Sequence, residues 1–343
     1  MVHGESVMAM ELREAPAALR RQPQLVAAPL AELVTRCRRA PPRFVVTCAR
    51  GSSAHAATFA KHLIERHLGI PVAAAAPNIA SIYGRSLWLD GALLLTISQS
   101  GESDDLAEFT RMAKRAGALA VAVVNETQSP LAAACDVVLP IAAGPERSVA
   151  ATKSFVATAA VLLRLAAAWA EDRRLSDAVE RLPDRLEAAI ALDWSMTLDA
   201  LASAASLITI GRGPTLAIAR EAALKLKETC RLHAEAFSGA EVRHGPVAIV
   251  SPRYPILMFI PTDAAAAGMR ALAADLRRIG ANVFVAGEEA PGLCALPVLP
   301  ADHPGPDALC LIQTFYALAV RLARVRGTDV DRPRHLQKVT RTR

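Results

Sequence analysis

The chain has 343 residues, of which 52% are hydrophobic and only 4% aromatic. That length favours two domains over one, and the alanine-rich apolar share favours helices. The formal net charge is +6 and the pI about 9.2. Lys and Arg are scattered rather than gathered in runs, and aromatics are too few to stack bases. No nucleic-acid surface is expected, whereas a small anion suits a local basic site.

Six cysteines (Cys37, Cys48, Cys135, Cys230, Cys294 and Cys310) form no C-x-x-C pair. They read as reduced, mostly buried thiols of a cytoplasmic protein. Met1 to Arg20 contains acids and lacks an apolar core, so it does not read as a signal peptide. The most apolar stretch, Phe155 to Ala170, is interrupted by Arg164 and reads as too short to span a membrane. No membrane partner is expected.

In chain order, the segment before Ala40 reads as an amphipathic helix. RFVVTCARGSSAHAATFAKHLIE, from Arg43, then reads as a buried strand, an Arg50-Gly51 turn and a helix. ALLLTIS (Ala92–Ser98) is a second strand, and KRAGALAVAVVN from Lys114 is a helix end, a glycine cap and a third strand. Glu171–Arg185 is charged and contains Pro183, as a helical linker would.

The pattern then repeats. SLITIGRGPTLAIAREAALKLKE, from Ser206, aligns Arg212-Gly213 with Arg50-Gly51. PILMFIP (Pro255–Pro261) matches ALLLTIS, and RRIGANVFVAGE from Arg277 matches the third strand. Each half reads β-α-β-α-β with continuously apolar strands. The expected fold class is therefore α/β, with two tandem domains, each a parallel sheet flanked by helices in a Rossmann-like, flavodoxin-like arrangement. The expected divisions are a helical segment over 1–33, a first domain over 34–170, a helical linker over 171–200, a second domain over 201–326 and a tail or lid over 327–343.

The strongest chemical signal is ALLLTISQSGESDDLAEF. A buried strand ends at Ser98 and a helix begins near Ser103, so hydroxyls, backbone N–H groups and a helix N-terminus converge on an anion. Gly101 lets the backbone approach closely. The loop lacks the lysine and spacing of a P-loop, which disfavours a nucleoside triphosphate. The first turn, Arg50-Gly51-Ser52-Ser53, lies at the same carboxyl edge of the sheet, where ligands of open α/β sheets collect. Serines can simply cap a helix, but two serine-bearing loops at one edge suit a monophosphate. The matching second-half loop, Pro-Thr-Asp-Ala, lacks this character.

The second half instead supplies Glu221, Lys225 and Glu228, whose i, i+4, i+7 spacing puts them on one helical face. Glu221 and Lys225 alone would read as a solvated ion pair. In so Ala/Leu-rich a helix, a carboxylate beside an ammonium also suits an acid–base pair. HAEAFSGAEVRHGP follows, with His233 and His244 eleven apart. No His or Cys spacing suits zinc, so no metal site is expected. His244-Gly245-Pro246 ends a polar, turn-rich loop able to project into a neighbouring site. By composition Lys338 is one of several basic residues of the tail.

ARGSSAHA, SQSGESDD, SVAATKSF, GRGPTLAIAREAALKLKE, HAEAFSGAEVRHGP and GTDVDRPRHLQKVT together resemble the sugar isomerase (SIS) domain family over nearly the whole chain. Within the family the likeness is to the isomerase half of glucosamine-6-phosphate synthase and to stand-alone SIS-type glucosamine-6-phosphate deaminases. The resemblance implies tandem SIS domains and phosphate binding by Ser98, Gln99, Ser100 and Ser103, helped by Ser52 and Ser53. It makes Glu228 the base that moves a proton between C1 and C2, with Lys225 beside it, and His244 the ring-opening residue. It also implies a homodimer in which the partner donates His244. In synthases the lysine matching Lys338 forms a Schiff base with the ketose, and the tail closes over the sugar.

Three departures from the synthase pattern matter. The stretch before Arg43 has no room for a glutaminase domain, so the chain is expected not to use glutamine by itself. Ala151 stands where the synthase motif carries serine, which looks more like the stand-alone deaminases. Ser103 replaces the more usual threonine and keeps the hydroxyl. The expected reaction converts glucosamine 6-phosphate to fructose 6-phosphate and ammonia, without a cofactor. Rival readings are a ketose/aldose phosphosugar isomerase, a synthase-like isomerase subunit, a fructosamine-6-phosphate deglycase and, from another class, a non-catalytic phosphosugar-binding regulator. Glu228, His244 and Lys338 together argue against the last.

Overall fold

The structure, a computed structural model, describes residues 5–287 and 292–338. Met1–Gly4 of the N-terminal segment and Val339–Arg343 of the tail lie outside the described residues. The chain forms two compact units. One takes the described residues up to Pro16, Arg147–Thr152 and Arg181–Leu336; the other takes Ala17–Glu146, Lys153–Glu180 and the described residues from Gln337 on.

The unit built on Ala17–Glu146 holds β1 (Phe44–Ala49), α2 (Gly51–Leu68), β2 (Val72–Ala74), α3 (Asn78–Ser81), β3 (Ala92–Ser98), α4 (Asp104–Arg115), β4 (Leu119–Val124), α5 (Pro130–Ala134), β5 (Val137–Pro140) and α6 (Lys153–Ala170). It also takes most of α1 (Val7–Arg39) and the first half of α7 (Arg173–Ile190). Its sheet has the order β2-β1-β3-β4-β5, with parallel neighbours throughout. All seven residues of the central strand β3 are buried. Both faces are covered, so no residue of that strand needs to suit water.

The other unit holds α8 (Leu198–Ala202), β6 (Ser206–Gly211), α9 (Pro214–Cys230), β7 (His233–Ser238), β8 (Pro255–Phe259), α10 (Ala266–Arg278), β9 (Asn282–Ala286), β10 (Cys294–Leu296) and α11 (Pro304–Val325). Its sheet runs β10-β9-β8-β6-β7, also parallel. Read from β7, this is the strand order of the first sheet, so the repeat seen in the sequence is a repeat of topology. Two parallel five-stranded sheets flanked by helices give the expected α/β class.

The expectation of three strands per half is corrected to five. The four additional strands, β2, β5, β7 and β10, are the sheet edges. Three of them have only three or four residues. The fourth, HAEAFS, carries exposed His233 and Glu235 and reads as loop. Edge strands need less apolar length than central ones, and their pattern is correspondingly weak.

The stretch from Phe155, expected to be too short to span a membrane, lies in a helix that begins at Lys153, and that expectation of length is corrected. α6 and α11 are each long and apolar enough to cross a membrane by length and composition, but 83% and 72% of their most apolar windows are buried inside the fold, as in core helices. The tail adds no helix or strand over its described part, Gly327–Lys338. It is nonetheless anchored. Asp331 accepts the N–H groups of Val7 at 2.7 Å and Met8 at 2.9 Å, capping the start of α1.

Candidate active site

In the first sheet, β3 ends at Ser98, whose hydroxyl accepts the Gly101 N–H at 3.0 Å. Ser100 Oγ accepts the Glu102 N–H at 3.3 Å. Ser103 is the residue before α4 and makes no side-chain capping bond, so capping does not account for its hydroxyl. Gln99, Ser100 and Ser103 are half-buried. The Gln99 carbonyl accepts the Asn125 N–H, and the Gly101 carbonyl accepts the Leu131 N–H. These bonds fix the loop against the segment that follows β4.

Gly101 is obligatory there. Its φ is +68°, and an added Cβ would lie 2.0 Å from Ser129 Oγ. If this loop holds the anion, Gly101→Ala is expected to weaken sugar-phosphate binding about tenfold or more, measurable by titration calorimetry. Unchanged affinity would remove this loop from the ligand site.

The other serine-bearing turn opens α2. Gly51 has φ +54°, and Ser52 and Ser53 are half-buried on the first turn of the helix. Sequence reasoning missed what ties the two turns together. Arg50 donates from Nε at 2.8 Å and from Nη2 at 2.5 Å to Asp105 Oδ2. The Asp105 side chain is 1% exposed and belongs to the first turn of α4. The pair sets the α2 turn against the α4 turn and offsets a carboxylate that would otherwise repel an anion.

In the second sheet, β6 leads into α9 through Gly211 and Gly213. A Cβ on Gly211 would lie 2.1 Å from the Thr215 carbonyl oxygen. Thr215 Oγ1 accepts the Arg212 N–H and donates to the Phe259 carbonyl at 2.6 Å. The start of α9 is therefore rigid. Farther along, Lys225 Nζ lies 2.5 Å from Glu228 Oε2 and 3.4 Å from Glu221 Oε1. Tyr316 donates to Glu221 Oε1 at 3.4 Å.

Lys225 and Glu221 have side chains 0% exposed, which overturns the solvated-pair reading. Glu228 keeps 20% of its side chain exposed and is the member of the three with access to solvent. Beside them, burial pushes the Lys227 ammonium below its ordinary pKa against the opposing pull of Glu235 and Glu228; its Nζ donates to the Ala234 carbonyl at 2.8 Å.

His244 ends a short 3-10 turn, Glu241–His244, and is exposed. The turn is anchored by buried Val242 and closed by Gly245 at φ +134°. Lys338 is singled out by the fold as it was not by composition: its Nζ lies 2.8 Å from Glu146 Oε2, a carboxylate whose side chain is 0% exposed.

The predicted set thus divides. Ser52, Ser53, Ser98, Gln99, Ser100, Ser103 and Lys338 belong to one unit, and Lys225, Glu228 and His244 to the other. Lys225 and Glu228 are in direct contact.

The sequence profile of the SIS domain matches residues 41–168 and 200–286, which cover the core of each sheet. An isomerizing glutamine–fructose-6-phosphate aminotransferase of Caulobacter vibrioides is 36% identical over 316 residues, 86% of this chain and 51% of its own. The chain therefore spans about half the length of that relative. Among solved structures, a Silicibacter pomeroyi DSS-3 chain provisionally described as a phosphosugar isomerase is 44% identical, with a TM-score of 0.92 over 95% of this chain and 100% of that one. The C-terminal domain of glucosamine-fructose-6-phosphate aminotransferase from Francisella tularensis is 25% identical, with a TM-score of 0.85 over 96% and 99%. With two matched segments on two sheets of the same strand order, the chain belongs to the SIS domain family.

Proposed function

We propose that the chain is a phosphosugar enzyme that deaminates glucosamine 6-phosphate to fructose 6-phosphate and ammonia by moving a proton between C1 and C2. The observation that carries this reading is the α9 constellation, where a fully buried lysine bridges two carboxylates and only Glu228 retains exposure. Such a carboxylate, held in place and beside an ammonium, suits proton transfer at carbon. The serine loops at the carboxyl edge of the first sheet supply the phosphate half, and the aminotransferase relatives support an amino-sugar substrate.

The roles are those that the resemblance to the SIS enzymes implies. Ser98, Gln99, Ser100 and Ser103, with Ser52 and Ser53, hold the phosphate. His244, donated by a second copy in a homodimer, assists ring opening to the C1 aldehyde. Glu228 takes the C2 proton while the ammonium on C2 passes a proton to the C1 oxygen, leaving an enolamine; Glu228 then returns its proton to C1, leaving a protonated imine at C2. Lys225 keeps Glu228 in place and balances its charge. Water adds to the imine carbon, the C–N bond breaks and ammonia leaves. The hydrogen shift is internal to the sugar, so the reaction calls for no redox cofactor. Lys338 acts on the sugar from the tail.

The likeness to the Silicibacter chain favours a second reading, aldose–ketose isomerisation without loss of nitrogen. The purified chain is incubated with glucosamine 6-phosphate, with its N-acetyl and galacto relatives and with the aldose glucose 6-phosphate, and ammonia and ketose are measured. Ammonia and fructose 6-phosphate in equal amounts from the first, with none from the N-acetyl sugar, is the expected result. Ketose formed from an aldose phosphate with no ammonia from any amino sugar would decide for the isomerase.

A further inference from the structure

Glu146, between β5 and α6, lies outside the residues singled out by sequence. Its Oε1 accepts the Ser154 N–H at 3.1 Å, and its Oε2 accepts the Ser154 hydroxyl at 2.7 Å. Ser154 is the second residue of the 18-residue α6. The carboxylate therefore rests on the positive end of a long helix. Its neighbour Lys153, 1% exposed, donates to the Pro145 carbonyl at 2.5 Å.

Capping α6 requires an acceptor, but not a cation. Yet Oε2 also meets the ammonium of Lys338, 192 residues along the chain. Lys338 keeps 25% of its side chain exposed, whereas Glu146 has none. A buried carboxylate demands a partner in good geometry, and a long flexible lysine would otherwise roam. The carboxylate is the fixed member of this pair and the lysine the one being placed.

We propose that Glu146 is a positioning residue whose buried carboxylate holds the Lys338 ammonium at one point of the phosphate-binding unit. This rests on the assignment of Lys338 to the sugar in the proposed function. The test compares ammonia release by the wild-type chain, Glu146→Gln, Lys338→Met and the double variant. Glu146→Gln should lower kcat by about 10²-fold, with KM for glucosamine 6-phosphate changed less than about twofold. The double variant should be no slower than Lys338→Met alone. Glu146→Asp, which keeps the charge, should recover part of the loss. Full kcat in Glu146→Gln, or losses that multiply in the double variant, would overturn the proposal.

Because Glu146 also caps α6, a second measurement avoids activity altogether. Acetic anhydride labelling followed by peptide mass mapping should show Lys338 protected in the wild-type chain and labelled several-fold faster in Glu146→Asn, which removes the charge and shortens the reach. Equal rates would overturn the pairing. A wild-type chain inactive on every sugar phosphate, but with Glu146-dependent protection of Lys338, would instead sink the proposed function and leave the pairing standing.

Discussion

Glu228→Gln should cut ammonia release from glucosamine 6-phosphate by about 10²–10⁴-fold, the usual worth of a well-placed acid–base group, while sugar-phosphate binding survives. Glutamine keeps the length and shape of the side chain but cannot carry the proton from C2 to C1. The serine loops proposed to hold the phosphate belong to the other unit and are untouched. The loss should therefore fall on kcat, with KM nearly constant. Ammonia release measured beside fructose 6-phosphate affinity by calorimetry gives both numbers. A variant with full turnover would strip Glu228 of its role; one that neither turns over nor binds would point to a damaged fold.

Lys225→Met should be among the most destabilising single changes in the molecule, at about 3–5 kcal/mol. The substitution fills the same space but takes the ammonium away from Glu221, whose side chain is 0% exposed and which also accepts a hydrogen bond from Tyr316 at 3.4 Å. Glu228 loses its 2.5 Å partner in the same step. A surface pair provides the contrast. Lys114, with 46% of its side chain exposed, bridges Asp136 at 2.6 Å, and Lys114→Met should cost about 0–1 kcal/mol. Urea denaturation checks both, as a fall in midpoint at unchanged slope. A cost for Lys225→Met no larger than for Lys114→Met would mean that the ammonium is dispensable to the buried carboxylates.

The central part of each sheet was legible because parallel strands covered on both faces must be apolar throughout, as ALLLTIS and PILMFIP are. The edges were not: a strand as short as VAA or CAL carries too little pattern to stand out. The duplication was legible from the aligned Arg-Gly turns, and the shared strand order follows from it. At the candidate site, helical spacing was enough to place Glu221, Lys225 and Glu228 on one face, but not to say that the face is buried. That depends on α11, whose Tyr316 packs there from 95 residues away. Arg50–Asp105 and Lys338–Glu146 were invisible for the same reason. Charges far apart in sequence carry no local signal of their pairing, although an acid in the first turn of a helix, as Asp105 is, marks a place to look for a cation.

The carboxylate of Asp331 on the first amides of α1 joins positions 324 residues apart. A 33-residue helix takes its opening clasp from the far end of the chain. Trimming the C-terminus past Asp331 would therefore loosen the N-terminus, so the role proposed for Lys338 is tested by a single substitution rather than by deletion of the tail.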